Sequence, residues 1–178
     1  MLKRLVGLSS LLLLGWASTV SAGPIAVDAG WYGFCFEGVG SPATAGCQND
    51  ATAGVTGNQI TFASAGSVLL KVTDAFQYGD IFSLVIDAAL PVLTSLVAVD
   101  ASGVTTDPDL AFADLGYSKY STVLGPGAHT LDIFVDTSPF GGGGAYVEVE
   151  SVPEPATLLL FGMGSFGLLS LRRRSNAA

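Results

Sequence analysis

Apolar and polar residues alternate, nearly one for one, in four stretches through the middle of this chain. Val68, Leu70 and Val72 alternate with Leu69, Lys71 and Thr73; Phe82, Leu84 and Ile86 alternate with Ser83, Val85 and Asp87. Leu131, Ile133 and Val135 alternate with Thr130, Asp132 and Asp136, with Phe134 breaking the polar face. Ala145, Val147 and Val149 alternate with Tyr146, Glu148 and Glu150. Successive side chains of a strand point to opposite faces, so a period of two predicts strands with one buried face. Residues 31–37, 59–63, 93–99 and 118–124 are shorter candidates. Tyr78-Gly79-Asp80 marks one turn. Gly125-Pro126-Gly127 predicts a hairpin between the strand ending at Leu124 and the one starting at His129. Residues 138–144, with four consecutive glycines, read as a flexible hairpin loop between the last two long strands. No stretch between the two chain ends sustains a 3.6-residue period. Many short strands with glycine-rich turns predict an all-β fold: an antiparallel, jelly-roll-like β-sandwich of about eight strands. A small barrel is the alternative.

Both ends depart from this pattern. Met1-Leu2-Lys3-Arg4 is basic, residues 5–16 are mostly apolar, and Val20-Ser21-Ala22 places small or aliphatic residues before a cleavage point. Residues 1–22 therefore read as a secretory signal peptide cut after Ala22, which implies the secretory translocon and signal peptidase as partners. At the other end, Val152-Pro153-Glu154-Pro155 precedes an uncharged apolar run, residues 156–171, closed by Arg172, Arg173 and Arg174. As a helix this run spans about 24 Å. That makes a single transmembrane helix somewhat short for a hydrocarbon core of ~30 Å. The arginines favour the cytoplasmic side and read as a stop-transfer signal. Composition alone fits a permanent anchor and a transient sorting signal equally well.

The order of these elements closely resembles the PEP-CTERM sorting signal, with Val152, Pro153, Glu154 and Pro155 as its motif and residues 152–178 as its extent. The resemblance implies a substrate of an exosortase in a Gram-negative bacterium that makes exopolysaccharide. It also implies removal of the helix near the Pro-Glu-Pro residues. The protein would pass through the inner membrane to the cell surface or the extracellular matrix. Parts of the middle are similar to β-rich domains of other PEP-CTERM proteins: Val72-Thr73-Asp74-Ala75-Phe76, Gly79-Asp80-Ile81-Phe82, Leu124-Gly125-Pro126-Gly127-Ala128-His129, and Ser138-Pro139-Phe140-Gly141 leading to Ala145-Tyr146. That similarity implies no catalytic residue, and it makes His129 a turn-flanking feature.

Removing the two ends changes the charge. The whole chain carries −8, but residues 23–151 hold 14 carboxylates against Lys71 and Lys119, a net charge of −12. A domain of 129 residues can build a real core. Without a basic patch it is a poor partner for nucleic acid or an anionic membrane surface. Divalent cations, cationic surfaces and neutral glycans, the exopolysaccharide among them, remain as partners. Cys35 and Cys47 are the only cysteines, an even pair that predicts a disulfide in an exported protein.

Candidate chemistry is sparse. His129 is the single histidine, with no Gly-x-Ser-x-Gly elbow in the domain, so it reads as a surface strand residue and not as a catalytic base; no enzyme is expected. The glycines at 141–144 lead into a strand and lack the helix and lysine of a phosphate loop. Asp107, Asp109 and Asp114, with Asp100 nearby, offer the oxygen ligands calcium prefers. An EF-hand is excluded: with Asp107 first, the sixth residue is Phe112 and the twelfth Ser118. A loop-type calcium site is one reading of this cluster, and a solvated acidic loop is the other. Alternation puts Tyr32, Phe34 and Phe36 on a core face and Trp31 on the opposite face, where an exposed indole would stack on a sugar ring. A glycan- or calcium-binding lectin-like module is accordingly the alternative to a plain matrix protein.

Overall fold

The computed structural model describes residues 22–153. The signal-peptide reading of residues 1–21 and the sorting-tail readings of Glu154, Pro155, the 156–171 helix and Arg172 to Arg174 lie outside the described residues. Among the described residues no helix is long and apolar enough to cross a membrane.

Twelve strands and one short helix make up the described chain: β1 Ala22–Pro24, β2 Tyr32–Phe36, β3 Ala53–Gly54, β4 Gln59–Ser64, β5 Val68–Asp74, β6 Phe76–Tyr78, β7 Ile81–Ile86, β8 Val92–Leu93, β9 Asp100–Thr105, α1 Pro108–Ala113, β10 Lys119–Leu124, β11 Gly127–Thr137 and β12 Gly143–Ser151. They form one five-stranded sheet in the order β1-β4-β11-β7-β8, a second in the order β10-β5-β12-β2-β3, and a two-stranded ribbon of β6 and β9. The long pairings are antiparallel; only the short edge pairs β1 with β4 and β2 with β3 are parallel.

The alternation holds where it was strongest. Val68, Leu70, Val72, Phe82, Leu84, Leu131, Ile133, Val147 and Val149 all point inward and are buried in one core between the two sheets. Phe34 and Phe36 from the second sheet meet Phe82 from the first edge-on, at ring-centroid distances of 5.6 and 5.1 Å. Edge-to-face contacts of this kind favour a fixed sheet spacing.

Three local expectations are corrected. Gly125-Pro126-Gly127 does not close a hairpin: β10 pairs with β5 in one sheet, and β11 pairs with β4 and β7 in the other. The glycine-rich segment at 138–144 likewise carries the chain from β11 across to β12 in the opposite sheet. Turn residues bend the chain; only the partner strands decide which sheet receives it, and this repeated crossing gives the sandwich its jelly-roll-like connectivity. The strand expected at 93–99 shrinks to β8, because Leu96 and Val99 face solvent and the buried residue there is Thr94.

A second layer covers the outer face of the second sheet. α1 forms because Asp107 caps it, accepting from the amides of Asp109 and Leu110 at 2.9 and 3.2 Å, and Pro108 opens its first turn. Trp31, Ala51, Ala75, Ala111, Tyr117 and Tyr146 make a separate buried cluster beneath it, with Phe76, Tyr78 and Phe112 packed alongside. The disulfide loop completes the cover. Cys35 and Cys47 are joined, with Cα atoms 4.9 Å apart. Closing so short a loop contributes about 2–3 kcal/mol.

Candidate functional site

The outer face of the second sheet and the layer over it enclose a polar cleft of about 490 Å³. Gly30, Trp31, Asp50, Thr52, Asp107, Pro108, Asp109, Glu148 and Glu150 line it. Five carboxylates thus face one cleft, and a single cation sits beside them. Lys71, on β5, reaches Glu148 at 2.9 Å and Glu150 at 2.8 Å, both from β12. Its ammonium also lies 5.4 Å from the Trp31 ring centre and 5.6 Å from that of Phe112, within cation–π range.

The two ends of this ion pair are unequally placed. Burial holds Glu148 above the usual carboxylate range although Lys71 pulls it down. Burial would lower Lys71, but two carboxylates share it, and it is held above its ordinary value. In the sequence Lys71 is one of only two lysines in the domain, on the polar side of an alternating strand; the pairing of β5 with β12 is what brings it beside Glu148.

Trp31 does not present its ring to solvent in this structure. It is only 5% exposed, and its indole N–H donates to Asp109 at 2.8 Å. The outward face assigned by alternation is correct; α1 and the disulfide loop bury it. The three aspartates of the calcium reading are divided between the two ends of α1. Asp107 caps α1 and Asp109 holds Trp31, both at the helix start. Asp114 lies past the other end, where it accepts from the Tyr78 hydroxyl at 2.7 Å and from the Gly116 amide at 2.9 Å. Among the described residues no three Asp, Glu, His or Cys side chains gather as a metal site.

His129 lies on β11 in the other sheet, just after the Gly125-Pro126-Gly127 turn. Its Nδ1 lies 2.7 Å from Asp87 Oδ2 and its Nε2 lies 2.9 Å from the Gly125 carbonyl oxygen. Both partners are acceptors, so this geometry favours a ring protonated on both nitrogens, which leaves no lone pair to take a proton. The Asp87 contact, followed by the Gly125 carbonyl, outweighs burial and raises the His129 pKa. Burial works against the charge on Asp87, yet His129 and the Thr130 amide hold it below the ordinary carboxylate value.

The sign of the pH dependence follows. The His129 contribution is full below its unfolded value, near 6.5, and is lost as pH rises through the raised folded value. The Asp87 contribution is present above 3.8 and is lost as pH falls through its lowered folded value. His129→Gln should therefore destabilise the domain slightly at pH 5.5, by roughly 0.5–1 kcal/mol, because the Asp87 side chain of the pair is 42% exposed. The difference should shrink towards pH 9; thermal melts across that range would show it, and a pH-independent difference would refute it.

Beyond geometry, the model of the PEP-CTERM protein-sorting motif matches residues 151–174. Such a motif marks a protein recognised by an exosortase and exported to the cell envelope or surface of a Gram-negative bacterium. No curated protein matches the chain significantly. Among solved structures, the pre-peptidase C-terminal domain of a collagenase from Bacillus anthracis is similar over 75% of this chain and 98% of its own, with 10% identity and a TM-score of 0.37.

Proposed function

We propose that this PEP-CTERM protein is a non-enzymatic component of the cell surface or extracellular polysaccharide matrix, delivered there as a folded β-sandwich. One observation carries the reading: the sorting motif begins at Ser151, the last residue of β12, so the folded domain and its address are contiguous. The secretory translocon takes the chain out of the cytoplasm and signal peptidase cuts after Ala22. That cut leaves Gly23 and Pro24 in β1, where they face Ile60 and Thr61. An exosortase then processes the tail in the inner membrane. Two features support a non-enzymatic role: the doubly engaged His129, and the engagement of Asp107, Asp109 and Asp114 with separate structural partners.

Intact-mass measurement of the protein released from the cell surface tests the delivery. The expected species starts at Gly23, ends within Pro153-Glu154-Pro155, and is two hydrogens lighter than the reduced chain. A mature protein that still carries Arg172, Arg173 and Arg174 would overturn the processing step.

A further inference from the structure

Asp74 closes β5 and Asp80 opens the approach to β7, with β6 and Gly79 between them. Asp74 is completely buried and Asp80 is 6% exposed. The amides of Ala75, Gly79 and Asp80 face the Asp74 carboxyl, with Ala75 donating to its Oδ1 at 2.8 Å. The Ser138 hydroxyl stands beside Asp80. Even so, Asp74 Oδ2 and Asp80 Oδ1 are each buried without a hydrogen-bond partner. A buried carboxylate oxygen left unpaired is costly, and two neighbouring carboxylates repel each other.

Nothing cationic in the described domain relieves them. Residues 22–153 contain no arginine. Lys71 is held by Glu148 and Glu150, and Lys119 by the carbonyls of Phe112 and Asp114 at 2.5 and 2.8 Å. His129 is held by Asp87 and Gly125. A cation from outside is the remaining source of positive charge.

We propose that Asp74 and Asp80 form a buried divalent-cation site, filled by calcium outside the cytoplasm. Calcium takes oxygen ligands in a flexible shell of six to eight. The two carboxylates supply the charge, and water completes the shell. The choice of calcium rests on the export reading; the site itself does not. Filling it would tie the end of β5 to the start of β7, where the chain passes between sheets. A single shared proton is the competing way to join the two orphan oxygens. Burial first, and then the charge of Asp80, push Asp74 up to about 9, so a proton-linked pair would open in alkali.

The test uses the full chain in detergent, stripped with EDTA, so tail processing does not affect it. Adding millimolar calcium chloride should raise the melting temperature by about 5 °C or more. Asp74→Asn and Asp80→Asn should each abolish the rise. Terbium should bind the unsubstituted chain, with luminescence excited through nearby Tyr117, and calcium should displace it; this measurement stands even if the Asp74 variant does not fold. The proposal is overturned if calcium leaves the wild-type melt and the terbium signal unchanged. It is equally overturned if the response survives in both Asn variants, or if Asp107→Asn/Asp109→Asn removes it instead.

Discussion

Gly33→Ala is expected to lower the melting temperature by about 10 °C, roughly 3 kcal/mol and the upper range for overpacking. A Cβ on Gly33 would lie 1.8 Å from the Cys47 carbonyl oxygen, 2.9 Å from its carbon and 3.1 Å from Gln48 Cα. These are backbone atoms, so no rotamer change relieves the clash. The disulfide loop must back away from the second sheet, and the cover over Trp31 lifts with it. Gly38→Ala is the control: its Cβ meets nothing within 4 Å, and its melt should move little. Thermal unfolding of both variants, with disulfide formation checked by mass, decides the matter. Removing the tether as well, in Gly33→Ala/Cys47→Ser, should be less damaging than the two changes summed, because an untethered loop can retreat. A near-neutral Gly33→Ala would show that the loop is not seated on the sheet.

The same contact shows what could be read from sequence and what could not. Alternation located β5, β7, β11 and β12 and their inward residues, because burial of one strand face is a local, periodic constraint. It also placed Trp31, the residue before β2, on the outer side of the second sheet. It could not show that this face has a lid. That lid depends on Gly33 admitting the Cys47 carbonyl and on α1, which at six residues is too short to display a helical period. The signal for α1 was nonetheless present, as a capping Asp107 followed by Pro108; those residues also fit a turn. Sheet assignment was illegible for another reason. Gly125-Pro126-Gly127 bends the chain identically whether the next strand pairs beside the last one or in the opposite sheet. The buried Asp74 and Asp80 gave no warning, since an aspartate at the end of a strand normally reaches water.

Lys71→Met should destabilise the domain by about 2–3 kcal/mol at pH 7.5, because it leaves Glu148 charged and without its counter-ion. The side chains of Lys71 and Glu148 are only 14% and 9% exposed, so water compensates little. The loss should depend on pH in a defined direction. Glu148 already sits above the usual carboxylate range through burial, and removing Lys71 raises it further. A group with a raised folded value favours folding below its unfolded value, here 4.5, and that contribution disappears as pH rises through the folded value. The deficit of Lys71→Met should therefore be largest at neutral pH and shrink as pH approaches 4.5. In the wild type, the Lys71 contribution is complete below its unfolded value of 10.5 and fades only as pH rises above that. Lys71→Met/Glu148→Gln should recover most of the loss at pH 7.5, since no buried charge then lacks a partner. Melts at pH 4.5 and 7.5 for the three proteins separate the causes. A deficit of equal size at both pH values, not rescued by Glu148→Gln, would assign the role of Lys71 to its cation–π contacts with Trp31 and Phe112 and not to its pairing with Glu148.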